Sequence, residues 1–92
     1  MQGHDPEPVI VAVGDRNWAR RARLADVLLL DADELESAAR MRDELFGRYP
    51  GLSMVVLRLP GDVIAIGRRC GRLLVQRSVT AEAAAKAAYF CG

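Results

Sequence analysis

Residues that carry most enzyme chemistry are scarce in this chain of 92 residues. It has one histidine, His4, and two cysteines, Cys70 and Cys91. Because His4 lies in a polar N-terminal stretch, we expect it to be solvated, which excludes histidine triads and most histidine general-base mechanisms. Zinc needs four good ligands, and one histidine with two cysteines cannot supply them. We therefore predict a non-enzymatic protein without catalytic, metal or cofactor-binding residues.

Long apolar runs are also absent. No stretch approaches the length of a membrane span, and the start MQGHDPEP lacks the basic and apolar regions of a signal peptide. Two cysteines are too few for a disulfide framework, which favours a reducing compartment. The sequence predicts a cytoplasmic protein with no membrane partner. We expect residues 1–8 to be a flexible arm and residues 9–92 to be a single domain.

Cys70 is the best candidate for a reactive residue, since Arg69 and other nearby arginines would stabilise its thiolate. However, a cysteine phosphatase loop requires an arginine six residues later, and that position is Gln76. We expect Cys70 to be an exposed turn residue. The acidic stretch 31–36 has a leucine at position 35 and lacks the glycine of a Ca²⁺ loop, so it predicts a helix start.

The net charge of +1 gives no global reason to expect nucleic acid or an acidic membrane as a partner. The charges are nevertheless clustered. Acidic residues from 26 to 44 separate two arginine-rich stretches, which predicts a molecule with one basic and one acidic region. The first stretch contains Arg16, Arg20, Arg21 and Arg23, and the second contains Arg68, Arg69, Arg72 and Arg77.

Three short runs between Leu52 and Val79, rich in Val, Ile and Leu and bounded by Pro, Gly or Asp, predict an antiparallel meander. A two-residue Pro60–Gly61 tip places Leu57 opposite Ile64, although a wider loop fits strand twist better. A four-residue second loop places Ile66 opposite Leu73. One face is then continuously apolar and consists of Val55, Leu57, Leu59, Ile64, Ile66, Leu73 and Val75.

The opposite face of the predicted meander mixes apolar residues with arginines, and we call it the mixed face. Either a helix covers it, with arginine stems lying over apolar atoms, or it contacts a partner or a second copy of the chain. The candidate interaction surface comprises Met54, Val56, Arg58, Val63, Arg68, Arg69, Arg72 and Leu74.

The rest of the chain supplies further strands and helices. Residues 9–13 predict a buried strand. Residues 15–30 fit either one helix from Asn17 or, as we favour, a short turn or helix over 18–23 followed by a strand over 25–30. A helix begins at Asp31 or Asp33 with a capping-box spacing and ends at Gly47 or Tyr49. A second begins at Thr80. The predicted fold is α+β, a two-layer sandwich with a mixed sheet of four or five strands and two main helices.

Two family resemblances are local. The stretch ADVLLLD, with the following helix and SMVVL, looks like the middle of a response-regulator receiver domain. One acidic residue instead of a pair follows the first strand, and the later strand with its lysine is missing. The order helix, PGL, strand, turn, strand resembles roadblock-type dimerisation domains over about a quarter of the chain. Neither resemblance is assigned as the family.

The leading hypothesis is a small interaction or regulatory domain that binds a protein partner, or a second copy as a homodimer, through the mixed face. The alternative is nucleic-acid binding through the arginine clusters, with Arg16, Arg20, Arg21 and Arg23 as a secondary basic cluster. Arginine suits phosphate, but the mixed face of the predicted meander has no aromatic side chains for base stacking. An unusual enzyme is the third alternative.

Overall fold

The structure is a computed structural model that describes residues 7–14 and 16–91, without the side chain of Cys91. Most of the predicted N-terminal arm, including His4, lies outside the described residues. The last residue of that arm, Pro8, is buried.

The described chain forms a five-stranded sheet in the order β1-β2-β3-β4-β5. Strands β1, β2 and β3 are parallel, whereas β4 is antiparallel to both β3 and β5. The predicted α+β class, mixed sheet and C-terminal meander are confirmed. The elements in order are β1 (Ile10–Ala12), α1 (Trp18–Arg21), a 3-10 turn (Ala22–Leu24), β2 (Val27–Asp31), α2 (Leu35–Arg48), β3 (Met54–Leu59), β4 (Val63–Arg68), β5 (Leu74–Arg77) and α3 (Ala81–Cys91).

The ambiguous stretch 15–30 contains a short helix and then a strand, as favoured from the sequence. Two parallel strands require a crossover between them, and α1 with its 3-10 turn provides the one from β1 to β2. Helix α2 provides the crossover from β2 to β3.

Helices cover both faces of the sheet, so the predicted two-layer arrangement is wrong and the fold has three layers. On one face, Leu28, Val55 and Leu57 pack with residues of α1 and α2. On the other face, Val56 and Ile66 pack with residues of α3. The physical reason is that β2 and β3 are continuously apolar, and a strand of that kind must bury both its faces.

The predicted register of the meander is wrong by one residue in both hairpins. Leu59 pairs with Val63, so Pro60 to Asp62 form a three-residue loop, in which Gly61 and Asp62 have φ of 82° and 58°. The slip continues into the second hairpin, where Ile66 pairs with Leu74. A two-residue Pro-Gly tip matches strand twist poorly, which explains the wider loop. The slip divides the large apolar side chains between both faces of the sheet.

The helix boundaries agree with the sequence except at the start of α2. Asp31 is the last residue of β2, and the N-cap of α2 is Glu34, which makes no side-chain capping bond, so the predicted capping box is wrong. The end of α2 at Arg48, with Tyr49 as its C-cap, agrees with the prediction. At α3 the Thr80 Oγ1 accepts a hydrogen bond from the Ala83 N–H at 3.2 Å.

Candidate interaction surface

Helix α3 covers most of the predicted mixed face. Met54 and Val56 are fully buried beneath it, in one cluster with Ala84 and Ala85. These two members of the candidate surface are therefore core residues. The small alanine side chains of α3 allow the helix to lie close to the strands, which is why this face is sealed.

The corrected register separates the other apolar members. Val63 pairs with Leu59 and lies on the α2 face, where it is half-buried. Leu74 lies on the α3 face but beyond the helix, and 54% of it is exposed. Of the four apolar residues in the predicted surface, Leu74 alone has large exposure.

Three of the four arginines of the candidate surface have partners inside the fold, and Arg58 and Arg68 are two of them. The Arg58 Nε donates to Asp31 Oδ1 at 2.9 Å, across the pair of neighbouring strands. The Arg68 guanidinium donates to the Ala88 carbonyl oxygen at 2.6 Å. Ala88 lies in the last turn of α3, where carbonyl groups have no partner within the helix. Arg68 therefore stabilises the end of α3.

Arg69 joins the β4–β5 loop to the connection between α2 and β3. Its guanidinium donates to the carbonyl oxygens of Pro50, at 2.7 Å, and Leu52, at 3.0 Å. The same group lies 4.9 Å from the centre of the Phe46 ring. A planar guanidinium can make both kinds of contact at once. Nothing in the sequence around Arg69 distinguishes this internal role from a surface role.

Arg72 and Arg77 differ from these arginines because both are exposed and make no hydrogen bond or ion pair with any described residue. They lie at the two ends of β5. Arg72 is in the loop before the strand, and Arg77 is its last residue. Their charges are available to a binding partner.

Strand β5 is an edge of the sheet that neither helix layer covers. Leu74 and Val75 point to opposite faces and are 54% and 42% exposed, and Val79, just beyond the strand, is 43% exposed. None of these three residues belongs to either core cluster. An exposed strand edge with apolar side chains is a template for pairing with another strand.

The hydrogen-bond pattern identifies which backbone groups of β5 face outward. The Ser78 N–H donates to the Asp62 carbonyl oxygen at 3.3 Å, and these residues continue the β4–β5 register. In an antiparallel ladder, bonded pairs alternate with non-bonded pairs. Gln76 and Leu74 therefore bond to β4. The N–H and C=O groups of Leu73, Val75 and Arg77 point away from the sheet.

A groove of about 470 Å³ lies between the α1 region and the end of α2. Arg23 and Arg48 line it together with Tyr49, Pro50 and Leu52. Since Arg69 binds the carbonyl groups of Pro50 and Leu52, the fold brings the two arginine-rich stretches to the same loop. Of the secondary basic cluster, Arg16, Arg20, Arg21 and Arg23 are all exposed.

The topology separates charge along the strand direction. The end of the molecule at which the parallel strands begin is the basic end, with Arg23, Arg48, Arg68, Arg69 and Arg72. The opposite end is richer in carboxylates and we call it the acidic end, although Arg58 and Arg77 also lie there. Its acidic residues are Asp31, Asp33, Glu34, Asp62 and Glu82. Strand β5 runs from the basic end to the acidic end.

Other chemistry is sparse in the described part of the chain. Cys70 is exposed in the β4–β5 loop. Among residues 7–14 and 16–91, no three His, Cys, Asp or Glu side chains are grouped so that they could hold a metal ion. None of the helices in this part has the length and apolar character needed to cross a bilayer.

No protein-family model, curated protein or solved structure matches this chain.

Proposed function

We propose that this chain is a non-enzymatic protein-interaction domain that binds an extended segment at the edge of β5. The observation that carries the proposal is the combination of outward backbone groups with uncovered apolar side chains on both faces of one strand. Strand addition uses these two features, since the backbone supplies affinity and the alternating side chains supply specificity.

The positions of Arg72 and Arg77 favour the edge of β5, rather than the mixed face, as the binding surface. Arg72 and Arg77 lie at the two ends of β5 and have no partner among the described residues. Charged residues at a strand edge oppose indiscriminate aggregation, while the apolar centre between them remains open to a segment of suitable charge.

Site-specific photo-crosslinking tests the proposal. A photo-reactive amino acid replaces Leu74 in one protein and Leu24 in a control, because both leucines are exposed but Leu24 lies on the 3-10 turn, far from β5. We expect a protein adduct from position 74, in cells that express the chain, that position 24 does not give. Equal labelling from both positions, or none from position 74, would exclude the edge as a binding surface.

A second candidate function is nucleic-acid binding at the basic end. The convergence of Arg23 and Arg48 on one groove, beside Tyr49, favours it. Phosphate binding by arginine releases counterions, so the affinity should fall steeply with salt. Fluorescence anisotropy with labelled single- and double-stranded DNA at low and moderate salt tests this function.

The variant comparison separates this site from the β5 edge. Arg23→Ala with Arg48→Ala should weaken DNA binding and reduce its salt dependence, while Arg77→Ala, at the acidic end, should not. Arg69 is unsuitable for this test because it bonds to the loop that lines the groove, so we expect its substitution to disturb the fold. Absence of binding at low salt would rule out nucleic acid as the ligand of the groove.

A further inference from the structure

We infer that the segment paired with β5 is the β5 strand of a second copy of this chain, antiparallel to the first and related to it by a two-fold axis. The inference rests on the proposed function and specifies its partner. Two features of β5 carry it, namely a self-complementary register and the separation of charge along the strand.

The outward backbone groups define the register. They belong to Leu73, Val75 and Arg77, and a two-fold axis at Val75 places all three in the hydrogen-bonded positions of the new ladder. Val75 then faces Val75 of the second copy, and Leu73 faces Arg77 of the second copy. Leu74 faces Gln76 on the other side of the sheet. No arginine lies directly opposite another. Arg72 lies one position from Arg77 of the second copy, but the two side chains point to opposite faces of the sheet, which limits the like-charge repulsion that would oppose self-pairing.

The direction of pairing brings opposite charges together. Because the strands are antiparallel, the basic end of each copy lies beside the acidic end of the other. Arg72 falls opposite Ser78 of the second copy, and Ser78 is bonded to Asp62 on the next strand. Arg72 and that Asp62 are therefore about 10 Å apart between Cα atoms, two strand spacings, which a long arginine side chain can largely bridge. Symmetry repeats this contact.

Neither member of that pair has an ionic partner among the described residues of its own copy. Arg72 and Asp62 are exposed, and neither makes an ion pair with a described residue. The second copy also covers Leu74 and Val75, which the helices leave open. Because the contact is confined to one strand edge, we expect association to be reversible and weak.

Sedimentation velocity over about 1 µM to 1 mM protein, a range that covers weak dissociation constants, measures the association. We expect a reversible monomer–dimer equilibrium. Val75→Pro, which removes an outward N–H, should weaken dimerisation at least tenfold, while Leu24→Ala, remote from β5, should leave it unchanged. A monomer at every concentration, or a dimer that is insensitive to Val75→Pro, would overturn the inference.

Mixing two charge-reversal variants tests the Arg72–Asp62 contact. Arg72→Glu and Asp62→Lys should each dimerise at least tenfold more weakly than the unmodified chain, because each homodimer contains two like-charge contacts. In an equimolar mixture, each heterodimer has two opposite-charge contacts, so association should recover. A destabilised fold cannot produce such recovery. No recovery on mixing, with both variants folded by circular dichroism, would contradict the proposed arrangement.

A disulfide tests the register. In a Cys70→Ser, Cys91→Ser background, Val75→Cys should give a covalent dimer on mild oxidation, since the Cα atoms of a directly opposed bonded pair lie about 5.5 Å apart. Arg77→Cys should not, because Arg77 faces Leu73 of the second copy. Equal yields from both positions would reject the register with Val75 on the axis.

The outcomes separate this inference from the proposed function. A monomeric protein whose position 74 crosslinks to a different protein would overturn self-pairing and leave the edge as a binding surface. A monomeric protein without any adduct from position 74 would overturn both.

Discussion

The side chain of Arg42 fills the space directly above Gly67. A Cβ atom added to Gly67 would lie 2.8 Å from the Arg42 Cδ and 2.8 Å from the Leu73 Cδ2. The Arg42 guanidinium is held at its far end, where it donates to the Gly71 carbonyl oxygen at 2.5 Å. Gly67 is therefore required because α2 places an arginine stem across the middle of the meander.

Substitution of Gly67 by Ala should lower the free energy of unfolding by about 1–3 kcal/mol, as is typical of overpacking. Gly47→Ala is the matched control, because nothing lies within 4 Å of the added Cβ and the residue is inside α2. For Gly47→Ala we expect the free energy of unfolding to rise by about 0.5–1 kcal/mol, because alanine reduces the conformational freedom of the unfolded chain. Urea unfolding measures both. Equal effects would show that Arg42 moves aside without cost.

Arg69 should contribute to stability, whereas Arg72 should not. Arg69→Ala removes a donor to two carbonyl groups and its contact with Phe46, so we expect a loss of about 1–3 kcal/mol. Arg72→Ala should change the unfolding free energy by less than about 0.5 kcal/mol, because Arg72 has no partner among the described residues. The comparison is best made at low protein concentration, and similar losses in the two variants would contradict it.

The N-cap residue of α2 can be replaced by one that caps the helix better. Glu34 is the N-cap and makes no side-chain bond, so Glu34→Ser should raise stability by about 0.5–1 kcal/mol. At α3, where the Thr80 hydroxyl accepts from the Ala83 N–H, Thr80→Ala should lower it by about 1 kcal/mol. Thermal unfolding followed by circular dichroism measures both, and opposite signs are the expected result. A loss with Glu34→Ser would indicate that Glu34 already acts through the helix dipole.

A pair of proline substitutions in β5 checks the hydrogen-bond pattern. Val75→Pro removes an outward N–H, whereas Gln76→Pro removes one that bonds to β4. Gln76→Pro should therefore lower the free energy of unfolding by about 1–3 kcal/mol more than Val75→Pro does, since it leaves a carbonyl of β4 without its donor. Denaturant titration of monomeric protein measures the difference. The reverse order would mean that the bonded and non-bonded pairs are exchanged.

The sequence was sufficient to place most elements, because the signals concerned are local. The β-branched run before Gly14 predicts β1, and the threonine before an alanine-rich stretch predicts α3. The hairpin register depends instead on the exact loop, and a Pro-Gly-Asp sequence is compatible with a tip of two or three residues. Asp62 at φ of 58° decides between them, and aspartate adopts that conformation too rarely for the sequence to show it.

The candidate surface could be predicted only in part. Apolar residues and arginines occur together on the meander in the sequence, but which face α3 covers depends on tertiary packing. The sequence therefore predicts Met54 and Val56 on a surface, although α3 buries both residues. It also predicts Leu74 and Arg72 there, but as part of the mixed face and not of a strand edge. The internal roles of Arg68 and Arg69 depend on carbonyl groups about 20 residues away, which no local pattern reveals.

One face of the sheet is covered by α3, which follows all five strands in the chain, and this order affects folding during synthesis. The chain emerges from its N-terminus, so β2, β3 and β4 are complete before α3 exists. Until then, no described helix covers the face that contains Val27, Val56 and Ile66. Transiently exposed apolar surface is what chaperones bind and what drives misassembly. A nascent chain stalled before Thr80 should therefore be a chaperone client, while the finished chain should not.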